Sequence, residues 1–396
     1  MVKEVKMEVK FAERTKTMGT EGAFEVLAKA KKLEAEGREI LHFEIGEPDF
    51  DTPRNIKNAA IDALKNGYTH YTPSSGLMET RKAIADYVSK TRGFDVKPEQ
   101  VIVTVGAKPA ITFSILSLVN PGEEVIYPDP GYPIYNAATL LAEGKPVPLP
   151  LLEEKDFRFS LDDLEKRITD KTRVIVLNSP QNPTGGVLTR EDFEGIAEII
   201  GDREIYILSD EIYSRILYEG EFVSITVVEK IRNRVILVDG FSKTYAMTGW
   251  RLGYAVARPE IINMLAKYAI NVYSCPTSFV QMAGVGALTG PQDEVSVMVK
   301  EFNERRDIFV EGLNEIPGVS CKLPKGAFYV FPNIKSFGKT SKEVADFLLN
   351  EAGVAALPGT AFGEYGEGYL RFSYATSKDN IRKGLEKMRE AFKRLK

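Results

Sequence analysis

The chain has 396 residues, of which 43% are hydrophobic and 27% are charged, and 52 Lys and Arg against 56 Asp and Glu give a formal net charge of −4. This length predicts about two or three domains, and the composition excludes the collagenous, disordered and disulfide-scaffold classes. Charges of one sign form no long run, so the sequence does not indicate a nucleic-acid or membrane-surface partner.

Cysteine and histidine are rare in the sequence, which contains only Cys275, Cys321, His42 and His70. The two cysteines form no CxxC pair, and this usage favours a reducing, cytoplasmic location. Two histidines exclude an HExxH zinc site and disfavour a Ser/His/Asp triad, so no metal site is predicted. No run approaches the ~18 apolar residues of a membrane span, and the charged start MVKEVKMEVK is unlike a signal peptide.

The spacing of apolar residues predicts helices and strands that alternate along most of the chain. About 20 polar residues at the start resemble an arm, and helical spacing follows over 23–36. Short apolar runs predict strands at 101–105, 124–127, 173–178, 205–209 and 235–238. Amphipathic patterns between them predict helices at 108–119, 132–142 and 190–200. The runs VIVTV, RVIVL and RVILV are apolar throughout, as expected of parallel strands covered on both faces.

This alternation predicts an α/β fold whose large domain has a mostly parallel sheet flanked by helices. After about residue 290 the pattern changes to a long helix at 295–316, short segments at 328–331, 354–357 and 369–374, and a final helix at 380–394. We therefore expect a large domain over 46–290 and a smaller α+β domain made of 1–45 together with 291–396. The crevice between them is the expected functional site.

Small and polar residues follow several predicted strands, at the sheet edge where open α/β sheets bind ligands. Gly106, Ala107 and Lys108 open a helix whose first N–H groups can hold a phosphate, although an ordinary turn is the alternative. Two Pro and two Gly make the segment 179–186 rigid and leave the amide of Asn182 as a directed donor. A purely structural turn would explain this segment equally well.

Two charged residues follow further strands. Asp210 lies at a strand end, where a buried carboxylate needs a cationic partner; a solvated loop residue is the alternative. Lys243 lies in an apolar and aromatic stretch, and desolvation favours the neutral, nucleophilic amine that reacts with carbonyl groups. The alternative for Lys243 is an ordinary surface lysine.

The late segment 369–374 alternates like a half-buried strand. Arg371 shares one face with Tyr369 and Ser373, whereas the apolar residues between them face the core. An arginine in this position suits bidentate capture of a carboxylate. The alternative is a surface arginine on the wet face of the strand.

The motifs NPTG, SDEIY, SKxxxMTGWRLGY and RxSYA occur in this order along the chain. In combination they resemble the class I/II aminotransferases, enzymes of fold type I that depend on pyridoxal 5′-phosphate (PLP). The resemblance extends from IGEPDF at 45–50 to the final helix and is greatest for the aspartate/aromatic branch of bacteria and archaea. It implies ping-pong transfer of an amino group from an L-amino acid to a 2-oxo acid such as 2-oxoglutarate, by way of pyridoxamine phosphate.

The resemblance also implies which residues would hold the cofactor ring. Lys243 would bind PLP covalently and then carry the proton removed from the substrate. Asp210 would pair with the ring nitrogen and keep it protonated. Asn182 and Tyr213 would form hydrogen bonds with the phenolic oxygen, and Tyr132 would stack on the ring.

The cofactor phosphate would be held by the turn at Gly106. The backbone amides of Ala107 and Lys108 and the side chains of Ser242 and Arg251 would complete this site. Many members of the family carry Ser or Thr three residues before the lysine, where this chain has Gly240. One phosphate contact is therefore expected to be missing or replaced by water.

The substrate and the partner subunit are implied in the same way. Arg371 would bind the α-carboxylate of the substrate with help from Asn182 and the backbone of Gly46. Tyr71 matches a tyrosine that reaches the phosphate of the neighbouring subunit, which implies an obligate homodimer with shared active sites.

Substrate choice depends on Lys108, which matches a lysine that meets the distal carboxylate in some aspartate-using relatives. A cation there favours aspartate or glutamate by charge pairing. Aromatic donors, Tyr or Phe, are an alternative that the same pocket could accept. The alternative for Lys108 itself is a helix-start lysine facing solvent. A PLP-dependent lyase or decarboxylase on the same fold remains an alternative activity. A non-enzymatic regulator is disfavoured because about 22 polar residues are too few for a helix-turn-helix module.

Overall fold

The computed structural model of the chain describes residues 9–12, 15, 19 and 22–395. Most of the predicted N-terminal arm therefore lies outside the described residues. Within these ranges, no helix is both long and apolar enough to span a membrane. The same residues contain no group of three or more His, Cys, Asp or Glu side chains that could hold a metal ion.

Strands and helices alternate from residue 101 to residue 240, as the apolar periodicity predicts. The strands are β1 (Leu41–His42), β2 (Val101–Thr104), β3 (Glu124–Asp129), β4 (Lys145–Pro150), β5 (Thr172–Asn178), β6 (Tyr206–Asp210), β7 (Val235–Gly240), β8 (Gly253–Val256), β9 (Tyr329–Val330), β10 (Val354–Ala355), β11 (Leu357–Pro358) and β12 (Leu370–Ser373). The α-helices are α1 (Gly22–Ala35), α2 (Arg54–Lys65), α3 (Met78–Arg92), α4 (Ala107–Leu118), α5 (Ile134–Leu141), α6 (Leu161–Arg167), α7 (Arg190–Ile200), α8 (Glu229–Arg232), α9 (Pro259–Tyr273), α10 (Ser278–Thr289), α11 (Asp293–Asn314), α12 (Ser341–Phe347) and α13 (Lys378–Arg394).

The large sheet has seven strands in the order β2-β8-β7-β6-β5-β3-β4. The pairs among β4, β3, β5, β6 and β7 are parallel, whereas β8 runs antiparallel to both of its neighbours, β7 and β2. The α/β fold with a mostly parallel sheet is therefore confirmed. The prediction of parallel pairing is wrong for the VIVTV run, because β2 pairs with the single reversed strand.

Apolar residues on successive positions of the central strands face opposite sides of the sheet and enter different cores. On β5, Val174 and Val176 pack with residues of α4, α5 and α9, whereas Ile175 and Leu177 pack with residues of α6 and α7. On β7, Leu237 packs with residues of α2, α3 and α10. Burial on both faces explains why these strands are apolar throughout.

Strands β4 and β8 escaped the sequence-based prediction. Strand β4 lies at the sheet edge and carries Pro146, Pro148 and Pro150, which lack an N–H group. Proline is tolerated there because alternate residues of an edge strand point their N–H groups away from the partner strand. The backbone N–H of Lys145 accordingly donates to the Glu123 carbonyl oxygen at 2.8 Å.

The two ends of the chain meet in a core that also includes Ile212, Tyr213 and Ile216 from the segment after β6. Strands β11, β12 and β9 form an antiparallel sheet, and β1 pairs in parallel with β10. Phe43, which follows β1, packs with Phe309 of α11 and Phe372 of β12. The predicted segment 354–357 is therefore divided between β10 and β11.

His42 links α1 to β1 through two carboxylates. Its Nδ1 lies 2.7 Å from Glu44 Oε1, and its Nε2 lies 3.0 Å from Glu34 Oε1. The hydrogen bond to Glu44 is the largest of the favourable interactions with these carboxylates, which together outweigh desolvation and raise the pKa of His42 to about 9. Since the folded-state pKa lies above the ordinary value, the stabilisation is fully present below pH ~6.5 and is lost as the pH rises through about 9.

Replacement of His42 by glutamine is therefore expected to lower the free energy of unfolding by about 1–3 kcal/mol at pH 6 and by much less at pH 10. Urea unfolding at a fixed protein concentration measures this difference. His70→Gln is the matched control because His70 is exposed. An equal loss for His42→Gln at both pH values would show that its charge contributes nothing.

Candidate active site

A cavity of about 500 Å³ lies where the carboxyl ends of the large sheet meet the segment 45–47 and strands β9 and β12. Every predicted site residue lines it except Gly106, which directly precedes the lining residue Ala107, and Tyr71. Parallel strands present their carboxyl ends at one edge of the sheet, so residues far apart in sequence converge there.

Asp210, at the end of β6, is a buried carboxylate of this cavity. The hydroxyl of Tyr135 donates to its Oδ2 at 2.8 Å, and the backbone N–H of Ile212 donates to its Oδ1 at 3.2 Å. Burial raises the pKa of Asp210 to about 6, whereas these two donors and Lys243 act in the opposite direction. A cation bound beside Asp210 would favour its ionised form further. The alternative of a solvated loop carboxylate is wrong.

Lys243 lies in the loop after β7 and reaches across the cavity. Its Nζ donates to the carbonyl oxygen of Gly46 at 2.6 Å and lies 5.8 Å from the centre of the Phe328 ring. The side chain therefore lines the cavity and is not an ordinary surface lysine. Its amine is held between the large sheet and the segment before α2.

Asn182 and Tyr213 bring amide and phenol groups to the same cavity. The backbone N–H of Asn182 donates to Asn178 Oδ1 at 3.0 Å, which fixes the loop after β5. The Asn182 Oδ1 atom is buried and has no hydrogen-bond partner among the described residues. The Tyr213 hydroxyl lies 2.7 Å from that of Tyr329, and burial raises the pKa of Tyr213 well above its ordinary value. Tyr213 therefore presents a neutral phenol.

The first turn of α4 and the guanidinium group of Arg251 lie together at one end of the cavity. Gly106 precedes the helix with φ = 78°, a backbone conformation that favours glycine. A Cβ atom at Gly106 would lie 2.4 Å from Arg251 Nη2, so the guanidinium group occupies the space over the turn. The first N–H groups of a helix lack intrahelical partners and attract anions. With Ser242 also lining the cavity, this end suits a phosphate group.

Gly240 lies three residues before Lys243, at the position where many members of the family carry Ser or Thr. It pairs with Gly253 across β7 and β8. A Cβ atom at position 240 would lie 3.1 Å from Gly253 Cα and 3.1 Å from Ile212 Cδ1. A serine or threonine there would require its neighbours to move by a few tenths of an ångström, and glycine avoids these close contacts.

Arg371 lies on β12 and is only 3% exposed. Its guanidinium carbon lies 4.7 Å from the centre of the Tyr329 ring and 5.1 Å from that of Phe362. One nitrogen, Nη2, donates to the carbonyl oxygen of Glu44, whereas Nε has no partner among the described residues. Burial lowers the pKa of Arg371 from its usual range. The alternative of a surface arginine on a wet face is wrong.

Lys108 and Tyr132 form another part of the lining. Lys108 is half-buried at the start of α4, and its Nζ lies 5.6 Å from the centre of the Tyr132 ring. Lys108 therefore faces the cavity, contrary to the alternative in which it faces solvent. Tyr132 in turn meets Tyr135 edge to face, with ring centres 6.1 Å apart.

Tyr71 does not line the cavity of its own chain. Its side chain is 90% exposed, an unusual degree for a large aromatic residue. A contact between Tyr71 and the phosphate of a neighbouring subunit stays a prediction.

The sequence-based prediction missed two tyrosines that contact predicted site residues. Tyr135 contacts Asp210, and Tyr329 contacts Tyr213 and lies against Arg371. Tyr135 follows Tyr132 by one helical turn, so helical spacing could have indicated that both face the same region. Tyr329 gave no comparable signal, because its part of the sequence is a run of buried apolar and aromatic residues.

The arrangement fits the cofactor that the sequence implies. Asp210 suits a protonated ring nitrogen, Tyr213 and Asn182 suit a phenolic oxygen, and the turn before α4 with Arg251 suits a phosphate. The unpartnered Asn182 Oδ1 and Arg371 Nε atoms are buried polar groups that a ligand would satisfy.

Comparison with families of known proteins gives one match over most of the chain. The family model described as aminotransferase class I and II matches residues 38–388. The chain is 44% identical to an aspartate aminotransferase of Pyrococcus horikoshii, over 93% of this chain and 93% of the relative. It is 42% identical to the aromatic-amino-acid aminotransferase 2 of Thermococcus litoralis, over 90% of this chain and 92% of the relative.

Solved structures of aminotransferases have the same fold as this chain. The aspartate aminotransferase from Rhizobium meliloti superposes with a TM-score of 0.94 at 36% identity, covering 98% of this chain and all of the other. An aromatic aminotransferase from Pyrococcus horikoshii superposes with a TM-score of 0.88 at 42% identity, covering 93% of this chain and 99% of the other.

Proposed function

The chain belongs to the class I and II family of PLP-dependent aminotransferases, and on that basis we propose that its preferred amino donor is aspartate or glutamate. It transfers the amino group of an L-amino acid to a 2-oxo acid. The observation that carries the choice of donor is Lys108, whose ammonium group lies at the cavity wall beside Tyr132. A cation there attracts the distal carboxylate of a dicarboxylic substrate.

PLP, when bound, supplies an electron sink for the electrons of the substrate's Cα–H bond. We propose that Asp210 holds the positive charge at the ring nitrogen, with Tyr135 fixing the orientation of its carboxylate. The neutral phenol of Tyr213 and the amide of Asn182 would contact the phenolic oxygen. Tyr132 would cover one face of the ring.

The proton and the carboxylate of the substrate would be handled by different residues. We propose that the Lys243 amine takes the proton from the substrate Cα and would deliver it to C4′ of the cofactor, the carbon that ends up bearing the amino group. Arg371 would bind the α-carboxylate through its guanidinium group, whose Nε atom has no partner among the described residues, with Gly46 and Asn182 beside it. Because Arg371 is buried between the Tyr329 and Phe362 rings, solvent would screen its charge only weakly.

Absorption spectroscopy and amino-donor kinetics test the proposed function. The protein incubated with PLP is expected to show a visible absorption band that an L-amino acid abolishes and a 2-oxo acid restores. A panel of amino donors with 2-oxoglutarate then ranks substrates. Release of ammonia without a need for a 2-oxo acid would support the lyase alternative instead, and a protein that gains no band would contradict PLP binding.

Replacement of Lys108 by alanine is expected to lower kcat/KM for aspartate by about 10-fold or more, and for tyrosine by less than about threefold. The backbone N–H of residue 108 is retained, so phosphate binding should not distinguish the two donors. Steady-state kinetics with both donors measure the ratio. Equal losses for aspartate and tyrosine would exclude Lys108 as a selector.

Aromatic amino acids are the second candidate donors. Phe24 and Ile45 line the cavity together with Tyr132, and these apolar groups suit a phenyl ring. An aromatic donor that surpasses aspartate in the panel would favour this candidate.

We further propose that the enzyme is a cytoplasmic homodimer with a large domain over 46–290 and a small domain made of the two chain ends. The exposed Tyr71 supports a shared site, and the exposed Ile270 and Val272 on α9 support an apolar subunit contact. The unpaired thiols of Cys275 and Cys321 support a reducing compartment. Light scattering that reports one chain per particle would contradict the dimer.

A further inference from the structure

A buried arginine lies behind the cavity and joins two carboxylates. Arg92, the last residue of α3, places Nε 2.8 Å from Glu211 Oε2 and Nη2 2.9 Å from Asp239 Oδ2. All three side chains are almost fully inaccessible to solvent. The guanidinium carbon lies 4.9 Å from the centre of the Phe222 ring. Arg92 does not line the cavity, and nothing in the sequence motifs singled it out.

The remaining polar atoms of this cluster are also satisfied. Ser209 and Ser224 donate to Glu211 Oε1 at 3.0 and 2.5 Å. The Asp239 carboxylate accepts from the Gly240 backbone N–H at 2.7 Å and from Ser214 at 3.2 Å. Each carboxylate thus places one oxygen on Arg92, an oxygen that Asp239 shares with Ser214, and has a donor on its other oxygen.

The two carboxylates adjoin the residues proposed to carry the chemistry. Glu211 directly follows Asp210 at the end of β6, and its backbone N–H donates to the Val238 carbonyl oxygen at 2.8 Å. Asp239 lies in β7, four residues before Lys243. One guanidinium group therefore fastens together the ends of the two strands that deliver Asp210 and Lys243.

A dry ion cluster of this kind adds little net stability, because the cost of desolvating three charges offsets most of their attraction. Its value lies in geometry, since the rigid fork of arginine fixes two partners at once. We propose that Arg92 is a positioning residue that sets the separation of Asp210 and Lys243 by bridging Glu211 and Asp239. This inference rests on the roles proposed above for Asp210 and Lys243.

The test compares two conservative substitutions on one helix. Arg92→Lys keeps the charge but loses the fork, so one of the two carboxylates loses its partner. Arg81→Lys is the matched control, because Arg81 also lies on α3 and binds the backbone oxygens of Pro98 and Val101, at the opposite end of the sheet. Asp239→Asn is a near-isosteric second variant that weakens the contact between Arg92 and residue 239. It tests the positioning role if Arg92→Lys does not fold.

The PLP-loaded enzymes are compared by steady-state kinetics and by the pH midpoint of their visible absorption band. For Arg92→Lys we expect kcat to fall ~10-fold or more with KM changed less than about twofold. The pH midpoint of the band is expected to move by about half a unit or more. Asp239→Asn should change both quantities in the same direction but less. Arg81→Lys should leave kcat and the midpoint at wild-type values even if it lowers thermal stability.

Two results would overturn the positioning role. A folded Arg92→Lys variant with wild-type kcat and a wild-type pH midpoint would show that Arg92 only stabilises the fold. If Arg92→Lys does not fold, the same result for Asp239→Asn would show this. Equal changes in Arg81→Lys would do the same. A wild-type enzyme without a visible band or without amino-group exchange would instead contradict the proposed function, so the two failures are distinguishable.

Discussion

Replacement of Lys243 by alanine is expected to lower kcat for amino transfer by at least ~10⁴-fold, because one side chain is proposed both to bind the cofactor and to move the proton. The Lys243 amine lies in the cavity at 2.6 Å from the Gly46 carbonyl oxygen. Alanine removes this amine but introduces no buried polar group, so the protein should remain folded. Single-turnover kinetics with aspartate measure the loss.

The Lys243→Ala variant also tests where the cofactor is attached. Borohydride reduction of the PLP-treated wild type, followed by peptide mapping, should locate the label on Lys243, and the variant should carry none. Lys267→Ala is the matched control, since Lys267 is an exposed lysine on α9. A labelled and active Lys243→Ala enzyme would refute the assigned role.

Replacement of Arg371 by leucine is expected to lower kcat/KM for all α-amino acids by roughly 30- to 5,000-fold, the equivalent of about 2–5 kcal/mol for a buried charge pair. Leucine fills part of the space between Tyr329 and Phe362 but cannot bind a carboxylate. The substrate's carboxylate would then be buried without a partner. Steady-state kinetics with several donors measure the effect.

The control for this prediction is Arg382→Leu, because Arg382 is an exposed residue of α13. It should change kcat/KM less than about twofold. A primary amine that lacks the carboxylate should react equally slowly with the wild type and with Arg371→Leu. A loss confined to one donor would indicate that Arg371 recognises a side chain and not the α-carboxylate.

The strands of the large sheet were predictable from the sequence where burial on both faces determines their composition. RVIVL became β5 because burial on both faces requires continuous apolar residues. The direction of β8 was not predictable, since reversal of one strand leaves no local pattern. The prolines of β4 concealed an edge strand, because a residue without an N–H group normally argues against a sheet.

Some residues of the candidate site were also predictable from the sequence, whereas others depend on the tertiary structure. Asp210 and Lys243 were found because they are charged residues in apolar surroundings at strand ends. The buried position of Arg371 and the contact between Tyr135 and Asp210 depend on packing between elements distant in sequence. Arg92 was missed because a helix-terminal arginine usually faces solvent, and only the tertiary structure shows which carboxylates it meets.

The segment before α2 contacts the site through its main chain. Lys243 donates to the carbonyl oxygen of Gly46, and Arg371 donates to that of Glu44. Every amino acid supplies such an oxygen, so evolutionary drift in side-chain chemistry at position 44 leaves that contact intact. Position 46 is restricted by size alone, because a Cβ atom would lie 2.3 Å from the Tyr329 hydroxyl oxygen. The contacts of this segment with the site therefore depend on the path of the backbone and on available volume, whereas the Glu44 side chain is constrained separately by its contact with His42.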